Sequence, residues 1–227
     1  MKRIDPEKYP YPGRIRHHVS PNLYFPLDEL KKKPKNYPPV YDELDWNECF
    51  ENGNPPDALD IGCGKGLFLF EFAIWNPEIN ILGIEVRKQI VDWNSEVIEG
   101  EQLGNCANIW YSVANGLPFI ENSSISKVFY LFPDPWVKRR QMKRRAFNES
   151  LLEEIHRIMK PYGSLYLASD IKEVHDYHRE LLKGHHGFDF EENISDEQWD
   201  MPVTNKEKFC KKKNIPYFRI IAKTIQK

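Results

Sequence analysis

The chain has 227 residues, 41% hydrophobic and 13% aromatic, which is enough apolar material for one full core and suits a single α/β domain with an appended arm. No stretch approaches the apolar length that crosses a bilayer, and the opening MKRIDPEKYPYPG has no continuous apolar run of a signal peptide; no membrane partner is expected, and a cytoplasmic protein is. A formal net charge of -2 excludes a wholly basic nucleic-acid binder, yet Lys and Arg gather at 31–35 (KKKPK), 138–145 (KRRQMKRR) and 206–213, and local potential rather than net charge decides which ligand is attracted.

Residues 1–57 interleave prolines (Pro6, Pro10, Pro12, Pro21, Pro26, Pro34, Pro38, Pro39, Pro55, Pro56) with tyrosines, which forbids long helices and central strands; this part is read as an arm. From Ala58 to the end, 58–227, short apolar runs alternate with helical patterns. The patterns predict strands at 58–62, 79–85, 108–113, 126–132, 163–169, 188–192 and 216–224, and helices at 66–75, 87–99, 148–159 and 171–183. Pro161 and Gly163 just beyond the third helix are a normal stop. The expected fold is α/β and Rossmann-like, a mostly parallel seven-stranded sheet with helices on both faces.

Asp60-Ile61-Gly62-Cys63-Gly64-Lys65-Gly66 follows a buried-looking strand and opens a helix. Glycine at every second position lets the backbone turn sharply and lets a ligand approach the main chain. A dinucleotide fingerprint runs G-x-G-x-x-G, whereas this one runs acid-x-G-x-G-x-G, the version that takes an amino acid joined to an adenosine. Glu85 closes the second strand, where a carboxylate accepts hydrogen bonds from both ribose hydroxyls.

The strand at 126–132 ends in Pro133-Asp134-Pro135-Trp136, whose prolines stop both strand and helix and hold Asp134 on a stiff loop at the sheet's carboxyl edge. Gly62, Gly64, Gly66, Glu85 and Asp170 are expected at the same edge, where open α/β sheets bind ligands. Lys138, Arg139, Arg140, Lys143, Arg144 and Arg145 follow at once, a density suited to a phosphate backbone. Trp136 has two readings, packing or stacking on a base, and packing is the commoner one.

Cys49, Cys63, Cys106 and Cys210 form no C-x-x-C pair and read as reduced thiols. His175 and His178 lie three apart on a predicted helix, but surface histidines account for them, as for His17-His18 and His185-His186; no metal is expected.

Taken together, Asp60 to Gly66, Gly83 to Arg87, Phe132 to Arg145, Ser169-Asp170 and Thr204-Asn205-Lys206-Glu207 resemble the tRNA (guanine-N7-)-methyltransferase family, a class I S-adenosylmethionine-dependent group. Arg16 to Pro21 resembles the N-terminal segment of its eukaryotic members. The resemblance implies S-adenosyl-L-methionine as cofactor and tRNA as partner, and is compatible with a homodimer or an accessory subunit. It implies cofactor contacts from Asp60, Gly62, Glu85, Arg87 and the main chain near Leu131, a catalytic or base-contacting role for Asp134, and substrate contacts from Lys138, Asp170, Thr204 and Glu207. Ser112-Val113 stands where the family has an Asp-Ala or Asn-Ala pair facing the adenine. Gln141 replaces a histidine, Ser169 a threonine, Lys206 a phenylalanine and Asn214 a glycine. A small-molecule methyltransferase would carry the same glycine loop and ribose acid but leaves the basic run unexplained. A catalytically silent RNA-binding module is the other alternative, and intact Asp60, Glu85 and Asp134 speak against it.

Overall fold

The computed structural model describes Ile4, residues 8–11, Gly13 and residues 20–225; Arg16 to Val19, with His17-His18, lie outside the described residues. The strands are β1 (Ala58–Ile61), β2 (Ile81–Glu85), β3 (Cys106–Trp110), β4 (Ile125–Leu131), β5 (Met159–Ser169), β6 (Phe188–Glu192) and β7 (Phe218–Thr224). They form one sheet in the order β3-β2-β1-β4-β5-β7-β6. Pairing is parallel for β1 with β2, β2 with β3 and β4 with β5, and antiparallel where β7 joins β5 and β6. The helices are α1 (Trp46–Cys49), α2 (Leu67–Trp75), α3 (Lys88–Gly100), α4 (Glu149–Ile158), α5 (Lys172–Gly184), α6 (Asp196–Trp199) and α7 (Asn205–Lys213). The chain divides into two units, Met1–Phe119 and Ile120–Lys227.

In the first unit every residue of β1 and β2 is buried, as strands covered on both faces require. α2 (LFLFEFAIW) is apolar on nearly every side and buries Phe68, Leu69, Phe70, Phe72 and Ala73, whereas α3 is amphipathic and buries the stripe Ile90, Val91, Asn94 and Val97. The proline-rich arm is fastened to this unit: the Ser112 hydroxyl donates to the Leu23 carbonyl (2.7 Å), the Leu27 amide donates to Asn115 Oδ1 (2.8 Å), and the Tyr37 hydroxyl lies 3.1 Å from the same Oδ1. Leu23, Tyr37 and Phe50 are buried.

In the second unit α4 begins at Asn148, whose side chain accepts from the Leu151 amide (3.0 Å), and buries Leu151, Leu152, Ile155 and Ile158. α6 and α7 each start with a capping box, Ser195 with Gln198 and Thr204 with Glu207. Glu207 is fully buried and binds Arg219 of β7 through Oε1 (2.6 Å to Nη2), while the Arg219 guanidinium lies over the Trp199 ring and reaches Asp196 (2.8 Å).

Three expectations shift. The third strand lies at Cys106–Trp110 rather than 108–113, because Cys106 and Ala107 pair with Ile81 and Leu82 while Val113 starts a 3₁₀ turn. β5 starts at Met159 and runs through Pro161, its register breaking between Ile125 and Lys127 of β4 so that the proline faces no ladder partner there. His175 and His178 are buried rather than on the surface: His175 stacks on Phe218 (5.0 Å) and meets Glu192 (3.1 Å), and His178 packs on Phe147 (4.8 Å) with burial pushing its pKa down to about 3.

Candidate active site

The glycine loop leaves β1 with Gly62, Gly64 and Gly66 all in the left-handed region (φ 76°, 53° and 66°), a path that other residues follow only under strain. Gly66 is also fixed by contact, since a Cβ there would stand 2.5 Å from the Phe70 ring and 2.9 Å from Asn94 Oδ1. At Gly62 a Cβ would meet nothing within 4 Å, so its backbone presents an open approach.

Glu85, at the end of β2, folds back on this loop. Its Oε2 accepts from the Gly64 amide (3.1 Å) and Arg87 Nη2 (2.8 Å), and its Oε1 accepts from the Arg87 amide (3.1 Å) and Nε (2.9 Å). These four donors match the acceptor capacity of a carboxylate. Asp60 is buried at the end of β1, and burial together with the nearby Glu85 charge raises its pKa to about 8. Asn94, which the sequence reading did not single out, donates from Nδ2 to the Gly64 carbonyl (2.9 Å). A polar residue inside the apolar stripe of α3 was the signal that marks it.

Ser112 and Val113 are both buried after β3, and the Ser112 hydroxyl is committed to the arm through Leu23. The loop, Asp60, Glu85, Arg87, Ser112 and Val113 therefore all belong to the first unit. This set fits S-adenosylmethionine: an open glycine turn for the approach of the ligand, one carboxylate held on the loop for a ribose, and one buried carboxyl for an ammonium.

In the second unit β4 ends at Leu131, and the Phe132 amide donates to the Ala168 carbonyl of β5 (2.8 Å). Phe132 (φ 52°) and Trp136 (φ 36°) are both left-handed without being glycine, so the loop presenting Asp134 is bracketed by two residues in a conformation that clusters at functional sites. Trp136 is buried beneath the Arg144 guanidinium (5.0 Å), in agreement with packing rather than base stacking. Arg145 is buried against the Tyr177 ring (4.5 Å), while Lys138, Arg139, Arg140 and Lys143 are exposed on or beside the 3₁₀ turn Arg139–Arg144. Asp170 pairs with Lys206 (2.7 Å), and Thr204 and Glu207 are occupied in capping α7.

Among the described residues, Glu153, His156 and His185 bring ligand atoms within 4.8 Å of one another. His185 Nδ1 accepts from the Gly187 amide (3.0 Å), which leaves the proton on Nε2, 3.4 Å from Glu153.

A family model described as "Putative methyltransferase" matches residues 54–220. The tRNA (guanine-N(7)-)-methyltransferase of Thermosynechococcus vestitus is 33% identical over 182 residues, 77% of this chain and 78% of that protein. The chain belongs to the tRNA (guanine-N7-)-methyltransferase family. Another member, from Microcystis aeruginosa, is 32% identical over 219 residues, 91% of this chain and 95% of that protein. The fold is that of class I methyltransferases: the solved 16S rRNA methyltransferase KamB aligns with a TM-score of 0.54 over 75% of this chain and 87% of its own, at 13% identity. S-adenosylmethionine is the cofactor this family and fold imply, and the first-unit residues above are those that fit it.

Proposed function

We propose that the chain is a cytoplasmic enzyme that transfers a methyl group from S-adenosylmethionine to N7 of a guanine in tRNA. The observation that supports it most is the left-handed glycine loop tied to Glu85 through the Gly64 amide, in a chain of this family. When bound, the cofactor supplies an electrophilic methyl group on a sulfonium.

Asp60 is assigned to the ammonium of the methionine moiety, a cation that would restore the carboxylate which burial disfavours. Glu85 takes the ribose hydroxyls in exchange for bonds to Arg87. Guanine N7 has a free lone pair, so no base has to remove a proton before attack; the protein has to align the reactants and favour positive charge on the purine. Asp134 serves that need by accepting from the guanine N1 and N2 hydrogens, bonds that strengthen as the ring becomes cationic. The exposed Lys138, Arg139, Arg140 and Lys143 favour a polyanion over a small-molecule acceptor.

The test is incubation of the purified chain with methyl-labelled cofactor and bulk tRNA, followed by mapping of the labelled nucleoside. N7-methylguanosine is expected; label on another position, or on small molecules alone, overturns the reading.

A further inference from the structure

The arm residues Lys8–Tyr11 lie against the glycine loop and α3, far from them in sequence. Lys8 Nζ pairs with Glu101 (2.7 Å), and the Tyr9 hydroxyl donates to the same carboxylate (2.9 Å). The Trp93 indole donates to the Tyr9 carbonyl (3.4 Å) and meets the Tyr11 ring edge-on at 5.2 Å. Tyr11 is half-buried, and Lys65, between Gly64 and Gly66, sets its ammonium 3.9 Å over the Tyr11 ring. The charges of Glu85 and Arg87 also reach the Tyr11 hydroxyl.

We propose that Lys8–Tyr11 is a wall of the methyl-donor pocket and that Tyr11 is a positioning residue for the cofactor, fixing Lys65 and shielding the Glu85 carboxylate on the loop from water. The inference rests on the cofactor site proposed above. The residues around Tyr11 explain why a ring is needed there: its face receives a cation, Trp93 forms a T-shaped pair with it, and shielding the carboxylate from water strengthens each hydrogen bond made to it. Lys8 and Tyr9 supply the anchorage, holding the segment to Glu101 at the C-terminal end of α3.

The experiment compares wild type, Tyr11→Ala, Tyr11→Phe and the anchor variant Lys8→Ala/Tyr9→Ala in the full chain. Dissociation constants for S-adenosylhomocysteine are measured by titration, with Trp93 emission as a second readout. The expected result is a dissociation constant raised about tenfold or more in Tyr11→Ala, rescue to within about threefold of wild type by Tyr11→Phe, and an intermediate loss in the anchor variant. KM for S-adenosylmethionine rises in parallel, while kcat at saturating cofactor and KM for tRNA stay within about twofold. Unchanged S-adenosylhomocysteine affinity in Tyr11→Ala overturns the inference even if that variant melts earlier, and tighter binding overturns it too by making the segment an obstruction. Failure of the wild type itself to bind S-adenosylhomocysteine refutes the cofactor site instead.

Discussion

Glu207→Ala removes the carboxylate that joins α7 to β7. In the folded chain Glu207 is 0% exposed and accepts from Arg219 Nη2 (2.6 Å), Arg219 Nε (3.2 Å) and the Thr204 amide (2.8 Å), while Arg219 is 4% exposed. Alanine leaves the Arg219 cation buried with Asp196, which is itself 58% exposed, and takes away half of the capping box. Breaking one side of a buried ion pair costs about 3–5 kcal/mol. Losing a cap bond adds about 1 kcal/mol. For a chain of this size each kcal/mol moves the melting temperature by roughly 2–4 °C, so a fall of about 8–24 °C is expected in a thermal melt. The partner variant Arg219→Met, combined with Glu207→Leu, recovers much of the loss because no charge is left unpaired. A Glu207→Ala protein melting within about 2 °C of wild type refutes this account.

Asp134→Ala is expected to abolish most turnover while the dissociation constant for S-adenosylhomocysteine changes less than about twofold; near-normal methylation removes Asp134 from the mechanism. Neutralising Arg139, Arg140 and Lys143 together is expected to lower the slope of log affinity for tRNA against log salt by about 2–3, whereas Arg145→Ala, whose guanidinium packs on Tyr177, lowers thermal stability instead. An unchanged slope places the exposed run off the RNA path. Asp60 holds its proton up to about pH 8 in the folded chain but releases it near the ordinary value of 3.8 when unfolded, so its effect is to lower stability as pH rises from 4 to 8. Asp60→Asn is expected to flatten the melting temperature across that range, and an identical pH profile in the variant shows that Asp60 does not titrate as described.

The parts of the molecule that follow simple periodicity were legible in the sequence. β1, β2, β4 and β6 and the helices α2, α3, α4 and α5 lie within two residues of where alternating apolar runs and helical stripes put them, because burial on a sheet or along a helix face imposes those periods. α7 was not legible that way: NKEKFCKKK has no apolar stripe, and what holds it is a buried glutamate reaching β7. The same Thr204-to-Glu207 spacing that the resemblance reads as substrate contact is a capping box, a helix start that local chemistry announces. The glycine loop and its acid were visible as a motif, but the four donors on Glu85 were not, since Arg87 reaches it only through the bend after β2. Nor does spacing link Tyr11 to Lys65, 54 positions away, since that contact depends on where the arm lies. The basic run shows a further limit of composition: eight consecutive residues carry six cations, yet the fold turns Arg145 inward and lays Arg144 on Trp136.

The hydrogen bonds from Ser112 and Asn115 to the arm bear on how short a working version of this protein can be made. A chain begun at Ala58 would forfeit the apolar anchors Leu23, Tyr37 and Phe50, each worth about 1.5–3 kcal/mol of burial, and would wet the floor on which they rest. Trimming the prolines for convenience would thus amputate a structural brace, and the remnant would be expected to clump rather than to persist as a smaller catalyst.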